Sequence, residues 1–140
     1  MPVISNANDI QRSADVVFDY VSDMRTEGEW NPVARSVDLL SLEPIGVGSR
    51  FAATWKGLGR ATMEIASFDP PRCWTVRTVE GALPVLLTGR VMASTAQSAR
   101  LSITIELLPT GLMVVFAPVV AAMIGRTAEA NLRRIKAAVE

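Results

Sequence analysis

Alternating apolar and polar positions dominate the middle of this 140-residue chain. Leu101, Ile103, Ile105 and Leu107 alternate with Ser102, Thr104 and Glu106, the period of a half-buried strand. Phe51, Ala53 and Trp55 alternate in the same way with Arg50, Thr54 and Lys56, and Met63 and Ile65 with Thr62 and Glu64. Trp74, Val76 and Thr78 share one face opposite Thr75 and Arg77. Turn signals separate these runs at 43–48, 57–59, 69–71, 81–84 and 96–98, where Gly, Pro, Asp and Ser gather. Six strands from residue 35 onward, joined by short turns, predict an antiparallel meander.

The period changes on either side of that block. Residues 3–10 read as a first strand. Ser13 is a good helix N-cap with Asp15 in the first turn, and Val17, Tyr20, Val21 and Met24 follow at helical spacing. A short helix is therefore predicted over 14–23. Thr26-x-x-Glu29 has the form of a capping box and predicts a second short helix that carries Trp30 and ends near Asn31-Pro32. Pro109-Thr110-Gly111 is expected to end the sheet. Beyond it, Val120, Ile124, Ala128, Leu132, Ile135 and Val139 form an apolar stripe at spacings of three or four. Arg126, Glu129, Arg133, Lys136 and Glu140 form the opposite, wet stripe, with Glu129 and Arg133 an i,i+4 pair of favourable order. Pro118 should loosen the first turns of this helix.

The order is strand, two short helices, six strands, long helix. It predicts one α+β domain over 1–140, a seven-stranded curved antiparallel sheet wrapped around a long C-terminal helix. So few strands cannot close on themselves, so the helix must plug the concave face. That arrangement commonly leaves space between helix and sheet.

Composition narrows the function classes. Hydrophobic residues make up 49% and charged residues 20%, as in a globular chain. Fourteen basic and 14 acidic residues cancel, which gives no electrostatic reason to expect nucleic acid or an anionic membrane as partner. There is no histidine, so the commonest general base and a common zinc ligand are missing. Cys73 is the single cysteine; it lies in a strand with no partner base and reads as structural. The opening MPVISN has no basic stretch followed by an apolar run, so no secretory signal is expected, and a cytoplasmic location is the default. Residues 112–125 carry no charge, but the run is shorter than a membrane span and leads into an amphipathic helix. It is read as a buried helix start, with no integral membrane span.

Several segments, taken in order, carry a resemblance. They are Ser13-Ala14-Asp15-Val16-Val17-Phe18-Asp19-Tyr20-Val21-Ser22-Asp23, then Glu29-Trp30-Asn31-Pro32, then Gly46-Val47-Gly48-Ser49-Arg50-Phe51. The turn Phe68-Asp69-Pro70-Pro71-Arg72 and the segment Asn131-Leu132-Arg133-Arg134-Ile135-Lys136 complete the set. Together they resemble the START and polyketide cyclase/dehydrase (SRPBCC) superfamily, which shares the birch-pollen-allergen helix-grip fold. One departure is the turn into the last strand, Gln97-Ser98-Ala99-Arg100, where members often carry a Gly-Thr-Arg-like turn. The resemblance implies the helix-grip fold and a cavity for hydrophobic ligands such as lipids, polyketides or other aromatics. Its members include cyclases, dehydratases, lipid carriers and hormone receptors, so it does not choose among those jobs.

Trp30, Phe51, Trp55 and Trp74 hold most of the large aromatic surface. With Met63, Ile65, Met92, Phe116, Val120 and Met123 they are the candidate lining of such a cavity, since rings and flexible methionines suit an irregular apolar ligand. The competing reading is an ordinary packed core. Glu64, Arg77, Glu80 and Arg90 lie within or beside strands, and Glu64 and Arg77 fall on the outer face, where solvated charges belong. Tyr20 offers a hydroxyl to a ligand or to the surface. Asp15, Asp19, Asp23, Glu27 and Glu29 spread around the first helices as a wet face, and no metal site or cofactor is expected.

The leading expectation is a non-catalytic binding or carrier protein for a hydrophobic small molecule. The alternative is a cofactor-independent enzyme of the polyketide cyclase/dehydratase type, favoured if two or more charged or hydroxyl groups converge on a ligand-sized space. A third is an interaction module that uses the uncharged 112–123 region as a homodimer or partner surface.

Overall fold

The computed structural model describes residues 3–108 and 113–140, with 113–115 and 117 as backbone only. Its elements are β1 (Val3–Ile10), α1 (Ala14–Val21), a 3-10 turn (Met24–Thr26), α2 (Glu27–Trp30), β2 (Ala34–Leu39), β3 (Arg50–Trp55), β4 (Gly59–Asp69), β5 (Cys73–Glu80), β6 (Val85–Thr95), β7 (Ser98–Leu107) and α3 (Met113–Val139). The seven strands form one sheet in the order β1-β7-β6-β5-β4-β3-β2, antiparallel throughout. The six-strand meander and the long final helix read from the sequence are both present. The stop expected at Pro109-Thr110-Gly111 lies outside the described residues.

Alternation sets the two faces of the sheet. Phe51, Met63, Ile65, Trp74, Val76, Val91 and Leu101 point inward and are buried. The outer face carries a cross-strand ladder in which Arg50 faces Glu64 and Glu64 faces Arg77. One Glu64 oxygen accepts from Arg50 Nε at 2.9 Å and the other from Arg77 Nη2 at 2.7 Å. The two guanidinium groups hold the Glu64 carboxyl below its usual range, the hydrogen bonds from Arg77 contributing most.

α1 begins where the sequence places it, with the Ser13 hydroxyl accepting from the Val16 amide. It sets Val17, Phe18 and Val21 into the core. Phe18 packs edge-on against Trp74, with ring centroids 5.4 Å apart, and tilted against Phe68 at the same distance. The second helix starts differently from the expected capping box. Thr26 is already helical and makes no side-chain cap. Its hydroxyl reaches back to the carbonyls of Tyr20 and Asp23, while Asp23 caps the preceding turn through the Arg25 amide.

α3 is fixed at its C-terminal end. Asn131, Leu132 and Ile135 are buried. Lys136 Nζ donates to the Asp9 carbonyl, and Arg12 donates to the carbonyls of Val139 and Glu140. The Gln11 amide donates to Glu140, and with Lys136 it holds that carboxyl below its usual range. The wet stripe is as expected, including an Arg133–Glu129 pair at 3.5 Å. Among its described side chains the first half differs from the buried start read from the sequence: Phe116 and Val119 are exposed, Met123 is exposed at the cavity mouth, and Val120 and Ile124 turn inward. Among the described residues no helix is long and apolar enough to cross a membrane.

Candidate functional site

A cavity of about 440 Å³ lies between the concave face of the sheet and α3. That is a volume ordinary for small-molecule sites. Met63, Trp74, Val76, Leu87, Ile103 and Ile105 form its floor from the strands. Val120, Ile124, Ala128 and Leu132 form its roof from α3. Trp30 and Trp55 flank one end, and the β3–β4 turn with Leu58 and the β5–β6 turn with Leu83 close the rim. Most of the wall is hydrocarbon.

The candidate residues separate into three groups. Trp30, Trp55, Met63, Trp74, Val120 and Met123 border the cavity, with Met123 at its mouth, 66% exposed. Phe51 and Ile65 are completely buried in the packed core beside it and do not border the open space. Met92 and Phe116 are 72% and 57% exposed and lie away from the lining. For Met92 the cause is strand parity: Gly89 and Val91 point inward, so Arg90 and Met92 must point out. Phe116 lies one turn before Val120, the first described residue of α3 that reaches the cavity.

Trp74 joins the packed core to the open cavity. Its six-membered ring lies directly over Gly89 on the neighbouring strand, where any added Cβ would overlap it. A glycine at 89 is therefore what lets the indole lie flat against the sheet, between Phe18 and the cavity. The choice between cavity and packed core is thus answered region by region. Residues around Phe18, Phe51, Ile65 and Phe68 pack solidly, and space opens beyond Trp74.

The sequence pattern puts Glu27 in a wet acidic face, and the structure corrects that reading. α2 is a single turn that places Glu27 and Asn31 on one side at i,i+4 spacing, beneath Trp55 at the end of β3. Asn31 Nδ2 donates to Glu27 Oε2 at 2.7 Å, and Trp55 Nε1 donates to the same oxygen at 2.9 Å. Asn31 Oδ1 in turn accepts from the Val33 amide at 3.2 Å. Burial pushes the Glu27 carboxyl above its usual range, partly offset by the donors Trp55 and Asn31. Among the described lining residues Glu27 is the only carboxylate, and Lys56 in the exposed β3–β4 turn is the only cation.

The sequence held only a partial signal for Glu27. A tryptophan placed inside needs an acceptor for its N–H, and Glu27 precedes Asn31 by one helical turn. Several other polar lining groups are occupied locally. Thr78 Oγ1 accepts from the Val85 amide, Asn131 Oδ1 accepts from Arg134, and Thr127 donates to the Met123 carbonyl. Tyr20 donates to Glu29 at 2.9 Å outside the lining, and burial with that carboxylate pushes its hydroxyl up to about 12. Among the described residues no three His, Cys, Asp or Glu side chains are placed to hold a metal ion.

Comparison with known proteins agrees with this architecture. Residues 1–140 match the family described as polyketide cyclase / dehydrase and lipid transport. No curated protein matches the chain. Among solved structures it is similar to the Zhui aromatase/cyclase from Streptomyces sp. R1128, at 17% identity and a TM-score of 0.81, covering 98% of this chain and 92% of that one. It is similar also to a protein of Thermus thermophilus, at 16% identity and a TM-score of 0.79, covering 99% and 97%. A START superfamily protein from Mycobacterium smegmatis aligns at 16% identity and a TM-score of 0.77, covering 98% and 96%. At these identities the likeness speaks for the fold.

Proposed function

We propose a binding function from a premise the family match establishes: the chain belongs to the polyketide cyclase / dehydrase and lipid transport family. The protein binds or carries a hydrophobic small molecule, a lipid, polyketide or other aromatic, in the cavity between sheet and α3. The observation that carries this reading is the cavity itself, about 440 Å³ in a domain whose neighbouring core is tightly packed. An apolar wall of this kind stabilises a ligand through the area it removes from water. Trp30, Trp55, Met63, Trp74, Val120 and Met123 are the proposed contact residues. The test is native mass spectrometry of freshly purified protein, followed by organic extraction. The expected result is a reproducible added mass that is lost on denaturation. A protein that carries no added mass and takes up none of a panel of apolar aromatics and long-chain alcohols contradicts the reading.

A second reading has one specific observation behind it. A carboxyl with a raised pKa beside an apolar space is the group an acid–base step needs. In a cyclase or dehydratase, Glu27 would pass a proton to a departing hydroxyl or take one from a carbon next to a carbonyl. The Zhui aromatase/cyclase is among the structures with this fold. Among the described lining residues Glu27 is the only carboxylate and the exposed Lys56 the only cation, which is why binding is preferred over catalysis.

A further inference from the structure

We infer that Glu27 is the residue that selects the ligand: its Oε1 atom accepts a hydrogen bond from a hydroxyl group, alcohol or phenol, on an otherwise apolar molecule seated in the cavity. This rests on the binding reading above and adds to it the chemical class of the ligand's polar group.

The geometry separates the two carboxylate oxygens. Oε2 takes both protein donors, Asn31 Nδ2 and Trp55 Nε1. Oε1 has no protein partner among the described residues. Among those residues, too, no fully buried side-chain nitrogen or oxygen lacks a partner. Oε1 therefore touches open space, and Glu27 lies on the cavity wall. Two donors on one oxygen fix the plane and direction of the carboxyl, so the second oxygen is held in place before any ligand arrives. Such preorganisation strengthens a single hydrogen bond, because no side-chain freedom is lost on binding.

The surroundings decide what kind of donor fits. An ammonium brings three N–H bonds and a full charge out of water. Around Glu27 the neighbouring polar atoms are already engaged: Asn31 Oδ1 takes the Val33 amide, and the Thr26 hydroxyl is held against the carbonyls of Tyr20 and Asp23. The Trp30 and Trp55 N–H groups are donors and cannot receive one. A hydroxyl brings one donor, matching the one open acceptor. An anionic head group meets a carboxylate at this end and no buried cation to neutralise it.

The test uses the full chain and isothermal titration calorimetry with three probes of one shape. They are 2-naphthol, 2-methoxynaphthalene, which lacks the donor, and the ammonium of 2-naphthylmethylamine. The wild type should bind 2-naphthol about tenfold more tightly than 2-methoxynaphthalene, as expected for one hydrogen bond to a fixed carboxyl oxygen. In Glu27→Gln the two donors claim the amide oxygen and leave its NH₂ facing the cavity. The preference should then vanish or turn toward the methoxy compound. Circular dichroism checks that the variant is folded, and the wild-type ratio needs no variant at all. Equal binding of the naphthol and its ether, an unchanged ratio in Glu27→Gln, or tightest binding of the ammonium overturns the inference while leaving the cavity reading intact. Binding of none of the three overturns both.

Discussion

Two glutamates, Glu64 on the outer face of the sheet and Glu27 on α2 beside the inner face, are tuned in opposite directions. Glu64 on the outer face sits between Arg50 and Arg77, and its carboxyl is held below the usual range. Glu27, beside the inner face, meets only neutral donors, and burial pushes its carboxyl up. The outer glutamate is neutralised by two half-exposed arginines, an arrangement that ties three strands together and offers nothing to a ligand. The inner one is not neutralised, and one of its oxygens is left without a protein partner. A carboxylate kept charged by arginines is a structural part; one kept near an apolar space by neutral hydrogen bonds is a group with chemistry to offer. That difference, more than the number of acidic residues, separates scaffold from site in this domain.

The largest effect should come from breaking the packed side of the inner face. Phe18→Ala removes the ring that contacts both Phe68 and Trp74 and should cost about 3–5 kcal/mol. Chemical denaturation measures it, and a cost near that of a surface substitution would mean that the packing around Trp74 is loose. Next is the effect of pH on Glu27. Its folded pKa is raised, so the folded chain holds that proton more tightly than the unfolded chain does. The stabilisation is complete below the ordinary glutamate pKa of about 4.3 and is lost as pH rises through the raised folded value. Glu27→Gln mimics the protonated acid. It should equal the wild type in acid and gain on it as pH rises, read from urea midpoints across that range. Parallel pH profiles would contradict the assignment. The smallest effect belongs to the outer face. Glu64 has a lowered pKa, so its contribution is present above the ordinary glutamate range and fades as pH falls below it. Arg77→Ala should change the melting temperature slightly, and less still in high salt, because the Arg77 guanidinium is more than half exposed and screened and Arg50 still pairs with Glu64.

Much of the fold was legible because burial writes itself as periodicity. Leu101 through Leu107 alternate so regularly that β7 could be placed from the sequence, and the turn residues marked nearly every strand boundary. The stripe from Val120 to Val139 likewise gave α3 and its inward face. The candidate site was legible only in part. Period two says that neighbouring strand residues face opposite ways, but choosing Met92 over Val91 required knowing which parity faced inward. Arg90 two residues earlier held that information. Phe51 and Ile65 share a face with Met63, and nothing local distinguishes a residue beside open space from one beside another ring. Glu27 was obscured by its acidic neighbours. A carboxylate's burial depends on Trp55, 28 residues away in sequence, and no local pattern carries that contact.

The central claim, that the space between sheet and α3 is where a ligand sits, is tested most directly by filling it. Ala128 lies on the α3 side of the cavity, so Ala128→Trp puts an indole into the open volume. Calorimetric titration with 2-naphthol should show saturable one-to-one binding to the wild type. Binding to a folded Ala128→Trp protein should be at least about tenfold weaker. Undiminished binding to the filled variant would place the ligand elsewhere and contradict the account.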